Sequence, residues 1–134
     1  MELVDKMKEK LLNELNNSYS PYSNYKVSAI VVMKDGTEFL GTNVENASYG
    51  ATICAERVAI ATAISNGYKK GDFDKLYVMV NTDKISSCCF MCRQVISEFF
   101  DEDSKIILMN NLGESKEFTI KELCPLPFNS EDLS

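Results

Sequence analysis

Chemically useful side chains concentrate in two short stretches, Cys54-Ala55-Glu56-Arg57 and, further along the chain, Ser87-Cys88-Cys89-Phe90-Met91-Cys92-Arg93-Gln94. Cys89 and Cys92, spaced i and i+3 where a helical pattern begins, put two sulfurs on one face of a first helical turn. There the free N–H groups and the helix dipole favour thiolate. Cys54 opens a second helical run. If the two helix starts converge, three thiolates meet at one point and leave a fourth tetrahedral position open, with Glu56 beside it. Three thiolates on Zn²⁺ leave a net negative charge, so such a centre needs positive support. The two helix starts supply part of it, and Arg57 is placed to donate to a sulfur. Glu56, two residues from Cys54, is suited to take a proton from water and pass it to a substrate nitrogen. Taken alone, Cys89-x-x-Cys92 fits a thioredoxin-like dithiol as well as a metal; the segment Cys54-Ala55-Glu56 favours the metal.

Composition narrows the chemistry further. The chain of 134 residues contains no histidine, which excludes Ser-His-Asp and Cys-His nucleophilic sites and histidine-rich zinc sites. Proton transfer near neutral pH must then fall to a carboxylate, a thiol or water on a metal. A net charge of −6 argues against a nucleic-acid polymer as partner, since that affinity rests on clustered Lys and Arg. Five cysteines, two of them adjacent, fit reduced or metal-bound thiols better than a secreted disulfide framework. No stretch is apolar over a bilayer-spanning length, and the first residues lack the pattern of a signal peptide, so a cytoplasmic location without membrane contact is expected. The length and an ordinary apolar share of 45% predict one domain over residues 1–134.

The elements that must position these residues can be read from periodicity. Leu3, Val4, Met7, Leu11, Leu12 and Leu15 recur at helical spacing, predicting an amphipathic helix over residues 2 to about 17. A Ser, Asn and Pro loop follows, whose tyrosines are expected to pack against something. Lys26 to Met33 and Glu38 to Val44 flank Asp35-Gly36 and predict a hairpin. A small-residue helix is expected from about Thr52 to Ser65, stopped by Asn66-Gly67, and packed closely on a sheet. Lys75–Val80 and Lys105–Met109 read as buried strands joined by a helix from Cys89 to about Phe100, a parallel crossover with ligand sites at the strand ends. Lys116 to Thr119 predicts a last strand, and Thr119 with Glu122 a capping box. Cys124 is expected in the core, and Arg93 at the surface or bracing the cysteine loop.

With these residues in view, the chain resembles the small homotetrameric zinc-dependent cytidine deaminases over nearly its whole length. The resemblance runs through Pro21-Tyr22-Ser23-Asn24-Tyr25-Lys26-Val27, Gly41-Thr42-Asn43-Val44-Glu45-Asn46-Ala47-Ser48-Tyr49, Cys54-Ala55-Glu56-Arg57, Cys89-Phe90-Met91-Cys92-Arg93-Gln94-Val95, and Glu122-Leu123-Cys124-Pro125 to Phe128. It implies a three-layer α/β/α sandwich around a five-stranded mixed sheet and hydrolysis of cytidine and deoxycytidine to the uridine product and ammonia, a step of pyrimidine salvage. It further implies Cys54, Cys89 and Cys92 as zinc ligands, Glu56 as proton shuttle, and the Ala55 N–H as a contact to the pyrimidine oxygen. Asn43 and Glu45 would read ribose hydroxyls and Tyr25 would face the base. Phe128 and Tyr49 would reach the site of a neighbouring subunit.

The pattern departs from the family where Cys88 stands in place of proline and Phe90-Met91 in place of small residues. Large side chains there bear on the pocket's size and on the exit of ammonia, which keeps open a rival substrate such as a blasticidin-type nucleoside antibiotic. From another class, the chain would be a non-catalytic zinc or redox protein. Cys88 is read as a buried or loop thiol and not as a ligand.

Overall fold

The computed structural model describes residues 2–133, the side chains of residues 2 and 3 apart. Five strands form one mixed sheet: β1 (Val27–Met33), β2 (Glu38–Thr42), β3 (Phe73–Val80), β4 (Phe100–Met109) and β5 (Ser115–Thr119), in the order β2-β1-β3-β4-β5. Only β3 and β4 run parallel; the other three pairings are antiparallel. The helices are α1 (Glu2–Leu15), α2 (Ala55–Ser65), α3 (Phe90–Phe99) and α4 (Ile120–Leu123).

Strand residues alternate between two apolar clusters, as the two-residue period of a strand requires. Ala29, Val31, Leu76, Val78, Ile106 and Leu108 pack on one face against Ala59, Ile60 and Ala63 of α2, Ile96 of α3 and Leu123 of α4. Ile30, Tyr77, Met79, Ile107 and Met109 pack on the other against Met7, Leu11 and Leu15 of α1. Helices on both faces make the three-layer sandwich, and they explain why β1 and β3 read as unbroken apolar runs. Among the described residues no helix is long and apolar enough to cross a membrane.

Several boundaries differ from the sequence expectation. Leu12 lies at the edge of its helix face and is exposed, and the side chain of Leu3 falls outside the described residues. The second helix begins at Ala55 and not near Thr52, because Ile53 is drawn into a two-way backbone bridge with Val44 (N···O 2.9 and 3.0 Å). The crossover helix ends before Phe100, which instead pairs with Phe73 and packs on its ring at 5.1 Å between centroids. Cys124 is half-buried, not core. Tyr19 and Tyr22 find no packing partner within the chain's core and stay exposed. The capping box at Thr119 and Glu122 forms as expected.

One close approach fixes where α2 begins. A Cβ placed on Gly41 of β2 would lie 2.6 Å from both the Ala55 carbonyl oxygen and the Ala59 nitrogen, so only glycine lets helix and strand meet at this spacing. Gly41→Ala must push α2 off the sheet, and a loss of about 1–3 kcal/mol in stability is expected, read as a lowered denaturant midpoint with unchanged slope.

Candidate metal centre and active site

Cys54 is the N-cap of α2 and Cys89 the N-cap of α3, while Cys92 sits in the first turn of α3. No cap bond engages the Cys54 side chain, which leaves its sulfur free to point toward the other helix start. The Cys89 sulfur accepts the Cys92 N–H at 3.4 Å. The three sulfurs lie within 4.8 Å of one another, with Cys54 and Cys89 3.9 Å apart. Tetrahedral ligands at the usual zinc–sulfur distance stand about 3.8 Å apart, so this set fits such an ion with little movement. Cys88 is buried but outside the trio, and its carbonyl accepts from Arg93 Nε at 2.9 Å.

The electrostatics are those of crowded thiols beside a cation. Hydrogen bonding from Cys92, then from Arg57 and Cys89, holds the Cys54 thiol down to about 5 against the opposing effect of burial. The Cys92 thiol is pushed the other way, upward, by its bond to Cys54 and by burial. Arg57 Nη2 lies 3.9 Å from the Cys54 sulfur and 3.4 Å from the Thr52 carbonyl, while its Nε is buried without an acceptor. The guanidinium therefore serves the Cys54 sulfur both as a long hydrogen-bond donor and as a nearby positive charge. Glu56 is only 5% exposed; burial raises its proton affinity, the negative Cys54 adds to this, and the Cys88 and Cys92 thiols oppose it.

Glu56, Cys54, Ala55 and Cys89 line a cavity of about 320 Å³ together with Asn43, Glu45, Tyr25, Tyr49 and Ser23. Asn43 and Glu45, two residues apart, thus reach one space from the end of β2. Both are nearly fully buried and tightly held. The Asn43 carbonyl oxygen accepts from Ser18 Oγ and from the Val27 N–H at 3.0 Å, and its amide donates to the Tyr25 carbonyl at 2.7 Å. Glu45 accepts from the Tyr22 and Ser23 N–H groups and from the Ser23 hydroxyl.

Phe128 lies elsewhere. Its side chain is exposed and outside the cavity lining, while its backbone is clamped by Gln94, which donates to the Phe128 carbonyl (2.7 Å) and accepts its N–H (3.0 Å). Phe90 and Met91 also point to solvent, 78% and 62% exposed, so they leave the pocket its width. The open question of the pocket's size is answered by their placement: both sit on the outer side of α3, with Phe90 stacked on the Arg93 guanidinium at 4.4 Å. Arg93 itself ties Ser87, Cys88 and Leu123 together, so it braces the cysteine loop. Sequence alone assigns no role to Ser18, Ser23 or Gln94, because a serine or glutamine at a loop or helix surface has no distinctive spacing.

A mixed sheet sandwiched by helices, with three sulfurs gathered at two helix starts beside a buried carboxylate, defines a metal-binding α/β/α protein. A family profile described as the cytidine and deoxycytidylate deaminase zinc-binding region matches residues 1–109. A cytidine deaminase of Halalkalibacterium halodurans is 42% identical over 117 residues, covering 87% of each chain. The crystal structure of cytidine deaminase from Burkholderia pseudomallei superposes with a TM-score of 0.88 at 37% identity, covering 92% of this chain and 98% of that one. The chain belongs to the cytidine and deoxycytidylate deaminase family. A blasticidin-S deaminase of Bacillus cereus is more distant, 30% identical over 136 residues and covering 96% of this chain and 91% of its own.

The low-lying Cys54 thiol gives a check on the metal-free protein. Its thiolate should be present above pH about 5 and lost below it. Since Arg57 helps to hold that value down, Arg57→Ala should move the first step of an ultraviolet thiolate titration to higher pH, and Cys54→Ser should abolish it.

Proposed function

We propose that the chain is a zinc-dependent hydrolase that deaminates cytidine, and deoxycytidine, to the uridine product and ammonia, acting in pyrimidine salvage. The observation that carries this reading is the opening of Cys54, Cys89, Glu56, Asn43 and Glu45 onto one cavity. Cys54, Cys89 and Cys92 hold the zinc, which when bound supplies the Lewis acidity that makes water a nucleophile near neutral pH. Arg57 offsets part of the sulfurs' negative charge.

Glu56 carries the protons. Its burial strengthens the carboxylate as a base, the direction needed to take a proton from the water that adds to C4 of the pyrimidine. It delivers that proton to ring N3 and then moves another to the departing amine, so that C4 gains oxygen and loses ammonia. The N–H of Ala55, at the start of α2 where helical N–H groups lack partners, contacts the pyrimidine oxygen. Tyr25 lies against the base. Asn43 has an amide N–H to give and Glu45 a carboxylate oxygen to offer, a pair matched to sugar hydroxyls. A base without its sugar leaves that buried pair unsatisfied and is turned over poorly.

Residues 1–134 act as a single domain in a cytoplasmic homotetramer. The exposure of Phe128, outside this chain's cavity, supports its role in completing a neighbouring subunit's site, whereas Tyr49 lines the cavity of its own chain; the unburied Tyr19 and Tyr22 support a covered surface in the assembly. The wide pocket and the closer kinship to cytidine deaminases favour cytidine over a blasticidin-type substrate.

Metal analysis and an ammonia-release assay on cytidine test the reading directly. Glu56→Gln should keep one zinc per chain while lowering turnover by ~10²–10⁴-fold. Near-full activity in that variant removes Glu56 from the mechanism. Light scattering should give four chains per particle, and a fully active monomer would count against shared sites.

A further inference from the structure

We propose that Ser23 is a positioning residue for sugar recognition, its hydroxyl holding the Glu45 carboxylate in the orientation that receives a sugar hydroxyl. This rests on the reading of Glu45 as a sugar acceptor given above. Glu45 is 5% exposed although it stands in a polar turn, and every hydrogen bond to its carboxylate comes from the loop that precedes β1. Oε1 is filled by two backbone donors, Tyr22 N–H at 3.0 Å and Ser23 N–H at 3.2 Å. Oε2 takes the Ser23 hydroxyl and keeps the remaining acceptor capacity.

Ser23 is also tied to the base side of the cavity. Its Oγ accepts the Tyr25 N–H at 3.0 Å, which leaves the single hydroxyl proton for Glu45. Asn24, between them, has a φ of 57°, a left-handed turn residue whose carbonyl is held by Asn81 Nδ2 at 2.9 Å. The Ser23 hydroxyl thus joins the backbone of the base-facing tyrosine to the sugar-facing carboxylate. Donation from Ser23 is also the largest of the effects that keep the Glu45 carboxyl below its ordinary range. Without the hydroxyl, the two backbone donors still anchor Oε1, so Glu45 stays in place while Oε2 loses its fixed direction. The Tyr25 N–H also loses an acceptor, but the Tyr25 carbonyl stays held by the Asn43 amide at 2.7 Å, so the loss should fall chiefly on a sugar hydroxyl.

The test compares zinc-loaded wild type, Ser23→Ala and Ser23→Thr on cytidine and on 2′,3′-dideoxycytidine, which lacks the hydroxyls in question. Ser23→Ala should raise KM for cytidine about tenfold and change kcat less than about threefold, with no added penalty on the dideoxy substrate. Ser23 is exposed, leaving space for one methyl group, so Ser23→Thr should restore the cytidine KM. Calorimetric binding of uridine should weaken in Ser23→Ala by the same factor, independently of turnover. Equal losses on both nucleosides, or no loss on cytidine, overturn the proposal. A wild type that processes both nucleosides alike instead removes the sugar-reading role of Glu45, and that of Ser23 with it.

Discussion

Holding three sulfurs within 4.8 Å of one another is the constraint on which this architecture depends. Two like charges about 4 Å apart repel by ~4 kcal/mol at an effective dielectric constant of ~20. A helix start contributes only about 0.3–1 kcal/mol toward an anion. Two of them and one guanidinium cannot offset three thiolates, and the sulfurs respond unequally: the Cys54 thiol is held down while the Cys92 thiol is pushed up by its bond to Cys54. A divalent cation at the centre of the three would offset their charge and allow all to deprotonate.

The sheet solves the placement problem by bringing two helix starts to one end of the strands. α2 is set by the contact of its alanine face with Gly41, and α3 by the passage from β3 through the cysteine loop, fastened by Arg93 to Leu123. The polar side chains at the other end of the cavity come from the segment just after β2, held by the loop before β1. The Cys54 and Cys89 sulfurs and the Asn43 and Glu45 side chains thus meet in one cavity on segments that leave the sheet at the ends of β2 and β3.

Much of this was legible in the chain because the signals were periodic or chemically rare. Cys-x-x-Cys before a helical run, Cys54-Ala55-Glu56, and Asp35-Gly36 between apolar strands each admit few structures. Alternating cluster membership along β1, β3 and β4 was hidden, since burial on both faces removes the polar half of the pattern. The outward orientation of Phe90 and Met91 was equally hidden. Their size is plain in the sequence, but which side of a first helical turn they occupy depends on where the helix starts, and that is set by the sulfurs. Helix starts at Ala55 and Phe90, each one residue past a cysteine, could be placed only within a few positions from propensity alone. The serine contacts to Asn43 and Glu45 were invisible because the loop and the segment after β2 meet only in three dimensions.

The Val44–Ile53 bridge bears on how this surface can diversify. With Val44 paired to Ile53 and the Glu45 N–H held by the Tyr19 carbonyl at 2.8 Å, the stretch 46–52 is pinned at both ends and free of the core between them. A side-chain change within it need not move the carboxylate before it or the sulfur after it. Substitutions on the rim around Tyr49 would alter which molecules the cavity admits while leaving the sulfurs and Glu56 where they are.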